Sequence, residues 1–257
     1  MNEKGLVVEI MWLDETEYPK PDTRPAIHIL QWIQYQLDNC ATVAEVLATD
    51  RLMRITGTTG APLHYLIADA TGNVATVEFI KGKKVVHTGS SLKYPVLTNS
   101  PYKQSVQLTD ANNRQDNSIE RFATACSMIQ SFQKADQKIN AIDYGFSILN
   151  AISQGNYTKW SIVYDIKNRL INFKTNEAKS IKQVHFNQLD FSCKTGPLEY
   201  NINQQSKGNI FKQLLPFSFQ NNINYTKRSL MESRQALNFS EQEQKHFLHY
   251  PKTTICQ

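Results

Sequence analysis

The 257-residue sequence predicts an α+β fold in a single domain, residues 1–257. Strand-like runs come in blocks with short turn signals between them, as antiparallel neighbours do. Helical periodicities are grouped in sequence between those blocks. No Gly/Ser-rich linker and no internal repeat divides the chain.

The first element follows the polar run Asn2-Glu3-Lys4-Gly5, which reads as a turn. Leu6 to Leu13 is then apolar at nearly every position, the pattern of a strand covered on both faces in the middle of a sheet. A turn joins two elements, so an N-terminally truncated sequence, with strands encoded upstream of Met1, is the expectation. A polar, proline-bearing loop from Asp14 to Pro25 leads to apolar residues at helical spacing over 28–37. Thr42-Val43-Ala44-Glu45 is a capping box and predicts a second helix start.

Strand character returns from Leu63 to Thr88. His64 to Ala68, Val74 to Ile80 and Val85 to His87 form a meander, with Asp69-Ala70-Thr71-Gly72-Asn73 as its first turn. Pro95 to Pro101 reads as a short strand running into a proline-terminated turn. Two helices are expected at Ser118–Lys134 and Gln137–Ser153. Lys159–Lys174 then gives strands about a Lys167-Asn168-Arg169 turn, and Ile181–Phe191 a further strand. Arg228–Leu237 is helical in pattern, and Ser240-Glu241-Gln242-Glu243 offers another capping box.

A hydrophobic content of 40% with 20% charged residues describes a globular chain able to bury a core. No stretch reaches the roughly 18 apolar residues of a membrane helix, and the start lacks a signal-peptide pattern. The compartment, bacterial periplasm or cytoplasm, stays open. The net charge of +5 could suggest an anionic partner, but the lysines are scattered. Their one short cluster, Lys81-Gly82-Lys83-Lys84, is a hairpin tip, so no nucleic acid is expected. Cys40, Cys126, Cys193 and Cys256 show neither CxxC spacing nor a dense framework. Each is expected to be a small buried hydrophobe or an inert thiol, without metal or disulfide scaffold.

There is no Gly-rich phosphate loop, no HExxH, no G-x-S-x-G and no clustered His/Cys set, so no cofactor or metal is expected. His64 reads as a structural side chain, and Asp69 as an Asx turn ahead of a cation site. Asn99, followed by Ser-Pro, is either turn chemistry or a fixed amide able to donate to a developing oxyanion. Arg121 is either a solvated helix charge or a group that would lower the pKa of a neighbouring thiol.

Six stretches, in this order, resemble the choloylglycine hydrolase family, which contains bile salt hydrolases and penicillin V acylases. They are Met1–Leu6, Asn39–Val46, Leu63–Asp69, Val96–Pro101, Ser118–Phe122 and Thr158–Asp165. The resemblance implies the N-terminal nucleophile hydrolase fold, an αββα four-layer sandwich of two antiparallel sheets, here missing its first strands. It implies hydrolysis of linear C–N amides by an N-terminal cysteine whose α-amine carries the proton. An α-amine titrates near 7.7–8.0, which suits it to both roles.

By the same resemblance Asn99 supports the oxyanion and substrate carbonyl, and Arg121 lies near the nucleophile. Trp12 supplies a backbone N–H to the oxyanion hole and an indole to the acyl pocket; core packing is its alternative reading. The partner implied is a small-molecule acyl amide, and the oligomeric state a homodimer or homotetramer. The family's nucleophilic cysteine lies ahead of the segment matching Met1–Leu6, so the 257 residues alone are expected to be inactive. A noncatalytic relative that binds acyl ligands is the alternative.

Overall fold

The computed structural model describes residues 1–57, 61–114, 116–134, 139–232 and 239–253. Asn2 ties off the opening turn, its Oδ1 accepting the N–H groups of Lys4 and Leu6 at 3.1 and 2.9 Å. Gly5 sits at φ +84°, and a Cβ there would collide with the guanidinium of Arg169. Both conditions call for glycine. β1 (Val7–Trp12) follows, then β2 (Ala26–His28), α1 (Ile29–Asn39), α2 (Val43–Ala48) and β3 (Arg54–Thr56). The capping box forms as the sequence predicts: Thr42 accepts from the Glu45 N–H while Glu45 reaches back to the Thr42 N–H.

β4 (Leu63–Ala68), β5 (Val74–Ile80) and β6 (Lys83–Thr88) are the expected meander, and β1 joins it in the antiparallel order β1-β4-β5-β6. Lys81 and Gly82, both at positive φ, make the basic hairpin tip. One face of this sheet, with Tyr65, Ile67 and Val77, packs against Ile29 and Trp32 of α1 and Val43 and Val46 of α2. Trp32 and Tyr65 meet ring to ring at 4.6 Å. On the other face Met11 and Leu66 pack against Val96, Leu97, Tyr102, Phe122 and Cys126.

Three expectations fail in this half. β1 is not covered on both faces along its length: Ile10 and Trp12 are each 37% exposed, and among the described residues the strand's second edge has no strand partner. Apolar composition alone does not distinguish a core face from a site face. Residues 95–101 do not form a strand either. Side chains, described below, satisfy that segment's backbone in place of a ladder. α3 (Tyr102–Asp110) lies where no helix is expected, because its mixed polar sequence carries little periodic signal.

α4 (Asn117–Lys134) and α5 (Ala141–Ala151) match the expected helix pair, although residues 137–138 fall outside the described residues. The second sheet contains β7 (Trp160–Asp165), β8 (Leu170–Thr175) and β9 (Lys182–His185). β9 is shorter than the expected 181–191 strand because the chain turns into a one-turn helix at Phe186–Gln188. β10 (Leu198–Glu199) and β12 (Leu215–Pro216) pair with each other, while β11 (Gly208–Asn209) adds to β9 in the order β11-β9-β8-β7. α5 lies on this sheet, with Gly145 close enough to Val163 that a Cβ would sit 3.2 Å from it. The Tyr164 hydroxyl donates to Glu9 Oε1 at 2.5 Å and so links β7 to β1.

α6 (Phe219–Glu232) starts nine residues before the expected helix, whose remaining positions to Leu237 lie outside the described residues. α7 (Glu241–His249) begins at its predicted Ser240 capping box. Cys40 and Cys126 are the buried free thiols the sequence predicts. Cys193 departs from that expectation: it is exposed and engaged in a disulfide. Cys256 lies outside the described residues.

Candidate active site

Trp12, Asn99 and Arg121, far apart in sequence, meet at one place. Asn99 Nδ2 donates to the Trp12 carbonyl at 2.9 Å, and Arg121 donates to Asn99 Oδ1 at 2.8 Å. These partners fix which way the carboxamide points. A guanidinium can meet only the oxygen and a backbone carbonyl only the NH2 group, so the opposite assignment would break both bonds. One N–H of Asn99 is thereby used, and no described residue accepts the second.

The strand register explains the rest of the geometry. Leu13 N–H bonds Pro62 O, and Trp12 stands opposite Leu63. Antiparallel residues alternate between bonding a partner strand and facing away from it. Trp12 is therefore turned away from β4, and its N–H and C=O both face the open edge of β1. Its indole does not enter the core: it is 37% exposed and held by an Nε1–H bond to Asp14 Oδ1 at 2.6 Å.

Helix α4 delivers the other components from its first turn. Asp116 Oδ1 accepts the Ile119 N–H at 2.9 Å, and Asn117 Oδ1 accepts from Arg121 Nε at 2.8 Å. Burial pushes the Arg121 guanidinium down from its ordinary value, and Asp116 pulls it back. It stays charged near neutrality, as arginine does in proteins. Ser118 Oγ accepts the Asn99 backbone N–H at 2.9 Å, takes a bond from Ser100 Oγ at 2.8 Å and donates to Thr98 Oγ1 at 3.1 Å. The Ser118 hydroxyl, itself fixed by those of Thr98 and Ser100, thus holds the Asn99 N–H that a ladder would otherwise hold.

Other singled-out residues serve structure. Asp69 forms the expected Asx turn, accepting from the N–H groups of Thr71 and Asn73 at 2.9 and 3.2 Å. It also takes the Val43 N–H at the start of α2. Among the described residues no cluster of His, Cys, Asp or Glu could hold a metal ion. Burial pushes the Cys40 thiol up, and that of Cys126 up to about 12, so neither is a thiolate. The sequence assigns no role to Ser118 or Asn117, although Ser118 opens the Ser118–Phe122 stretch and Asn117 adjoins it.

Two main sheets, antiparallel apart from the β11–β9 pair, with helices packed on them give the architecture of an N-terminal nucleophile hydrolase. The family model for linear amide C–N hydrolases, choloylglycine hydrolase family, matches residues 1–139, a span that includes Trp12, Asn99 and Arg121. The chain belongs to this family. It is 28% identical to the penicillin V acylase of Pectobacterium atrosepticum, over 85% of this chain and 72% of that one. The structure of penicillin V acylase from Agrobacterium tumefaciens superposes with a TM-score of 0.72 at 28% identity, covering 85% of this chain and 76% of that one. A variant of the conjugated bile acid hydrolase from Clostridium perfringens shares the fold. Its TM-score is 0.64 at 19% identity, with 80% and 74% of the two chains covered.

Proposed function

We propose that the site binds and cleaves the linear amide of an acylated small molecule of the penicillin V type. The observation that carries this reading is the Asn99 carboxamide, oriented by Arg121 and holding a second N–H in reserve beside the outward N–H of Trp12. Two donors fixed before the substrate arrives suit a carbonyl oxygen that gains charge on attack. Removing one such donor typically costs 10²–10³-fold in rate. The half-exposed indole of Trp12 would wall the acyl side, which favours aromatic or fatty acyl groups.

In the mechanism that the family resemblance implies, a thiolate attacks and its proton is carried by an α-amine. Cys40 and Cys126 are buried and protonated, and Cys193 is in a disulfide. Among the described residues, therefore, no thiol is available to serve as that nucleophile. That same observation favours a second reading, an acyl-ligand-binding protein that does not turn over.

Both readings expect the 257-residue chain to bind phenoxyacetamide saturably, to lose that binding in Asn99→Ala, and to release no amine from penicillin V. Binding that survives Asn99→Ala would overturn the site assignment. The readings part on protein purified from its own host cells: amine release there supports the hydrolase, and binding without release the second reading.

A further inference from the structure

We propose that His64, braced by Glu78, is the positioning residue of the Asn99 carboxamide. This rests on the reading of Asn99 as the donor that meets the ligand carbonyl.

The peptide unit entering Asn99 consists of the Thr98 C=O and the Asn99 N–H, and being planar it moves as one body. Both of its polar ends are held by side chains. Ser118 Oγ takes the N–H at 2.9 Å, and His64 Nε2 meets the carbonyl oxygen at 2.6 Å. Fixing that plane at both ends fixes the N–Cα axis from which the Asn99 side chain hangs. The bonds to the Trp12 carbonyl and to Arg121 then settle its remaining rotations.

The carbonyl admits only a donor, so the Nε2 of His64 carries a proton. Its Nδ1 meets Glu78 Oε1 at 3.1 Å, a bond that needs a second proton shared by the pair, and the same oxygen accepts the Tyr102 N–H at 2.9 Å. Glu78 Oε2 lies 3.9 Å from His87 Nε2. His64 is 0% exposed, Glu78 1% and Thr98 3%. Bulk water therefore does not reach these bonds.

Leucine and valine would fill the same space without the desolvation cost of a buried His–Glu pair. What the pair adds is direction: β4 supplies the imidazole, β5 the carboxylate that stops it rotating, and the loop the peptide they orient. The strand-like reading of residues 95–101 fails for this same reason, since a histidine occupies the place of a ladder partner.

The test uses the 257-residue chain uniformly labelled with ¹⁵N, and reads the ring nitrogens of His64 and the side-chain NH2 of Asn99. In the wild type, a slowly exchanging His64 Nε2–H with cross-peaks to Thr98 and Asn99 is expected; an unprotonated Nε2 overturns the proposal. In His64→Ala the Asn99 NH2 protons should exchange about tenfold faster, as loss of one buried hydrogen bond allows. His64→Gln, whose amide can still reach the Thr98 carbonyl, should restore most of the protection. Ile55→Val, which trims the core on the opposite face of the sheet, should leave it unchanged.

Equal loss of protection in His64→Gln and His64→Ala would mean packing alone, and overturns the proposal. So would wild-type exchange in His64→Ala. None of these readouts needs turnover. Failure of phenoxyacetamide to shift the Asn99 NH2 signal would sink the functional reading while leaving the positioning result standing.

Discussion

Replacing Asp69 with asparagine tests how the first sheet and helix α2 are joined. Asp69 is 3% exposed. Its Oδ2 accepts the Val43 N–H at 2.9 Å, while Oδ1 accepts the Thr71 N–H at 2.9 Å, the Thr71 hydroxyl at 2.6 Å and the Asn73 N–H at 3.2 Å. An asparagine must turn its NH2 toward one of these groups of donors, and the Val43 side forfeits least. That leaves a buried helix N–H unpaired, at about 1–3 kcal/mol, and reduces the remaining bonds from charged to neutral. A total near 3 kcal/mol corresponds to a fall in Tm of about 6–12 °C for a chain of this size.

The sign with pH follows from the carboxyl. Burial pushes the Asp69 pKa up, but the bonds from Thr71, Val43 and Asn73 outweigh it and leave the value lowered. A carboxyl lowered on folding contributes stability above its unfolded pKa, about 3.9. That contribution is lost as pH falls through the lower folded value. Urea melts of wild type and Asp69→Asn should thus differ most near neutrality and converge in acid. A difference below about 0.5 kcal/mol at pH 7, or a gap that does not narrow with acid, would refute the reasoning.

Arg121→Leu should leave the fold intact and weaken phenoxyacetamide binding about tenfold or more, since Asn99 loses its charged orienting partner; isothermal titration measures it. Tyr164→Phe removes the bond to Glu9 that links the two sheets and should cost about 1–3 kcal/mol in urea. Thiol titration of the native protein with an aromatic disulfide at pH 8 should find Cys126 unreactive. A pKa of about 12 leaves roughly one molecule in 10⁴ as thiolate, and full labelling within minutes would contradict the burial.

Much of this was legible in the sequence because it was encoded locally. The capping boxes at Thr42 and Ser240, the hairpin tip at Lys81-Gly82 and the Asx turn at Asp69 each need only residues within a few positions of one another. Asn99, Arg121 and Trp12 were found through a family resemblance. Read alone, Asn99 favours turn chemistry and Arg121 a solvated helix charge, and only folding brings their hydrogen bonds together.

What stayed hidden was non-local. No sequence pattern announces that His64 and Ser118 substitute for a β-ladder around residues 98–100. The apolar run in β1 gave no sign that Ile10 and Trp12 face outward, since strand periodicity reports alternation and not which side holds the ligand. The expected strand at 95–101 and the disulfide at Cys193 are errors of the same kind, with partners supplied from elsewhere in the chain.

The anchoring of Asn99 has a consequence for redesign. The groups that aim its carboxamide sit on β1, β4, β5 and the start of α4, and the one from β1 is the Trp12 backbone carbonyl, not its side chain. The Trp12 indole, bonded instead to Asp14, can therefore be replaced to suit a different acyl group while the Asn99 amide keeps its bearing. On the proposed reading, acyl selectivity and carbonyl binding become separately adjustable parts of one scaffold.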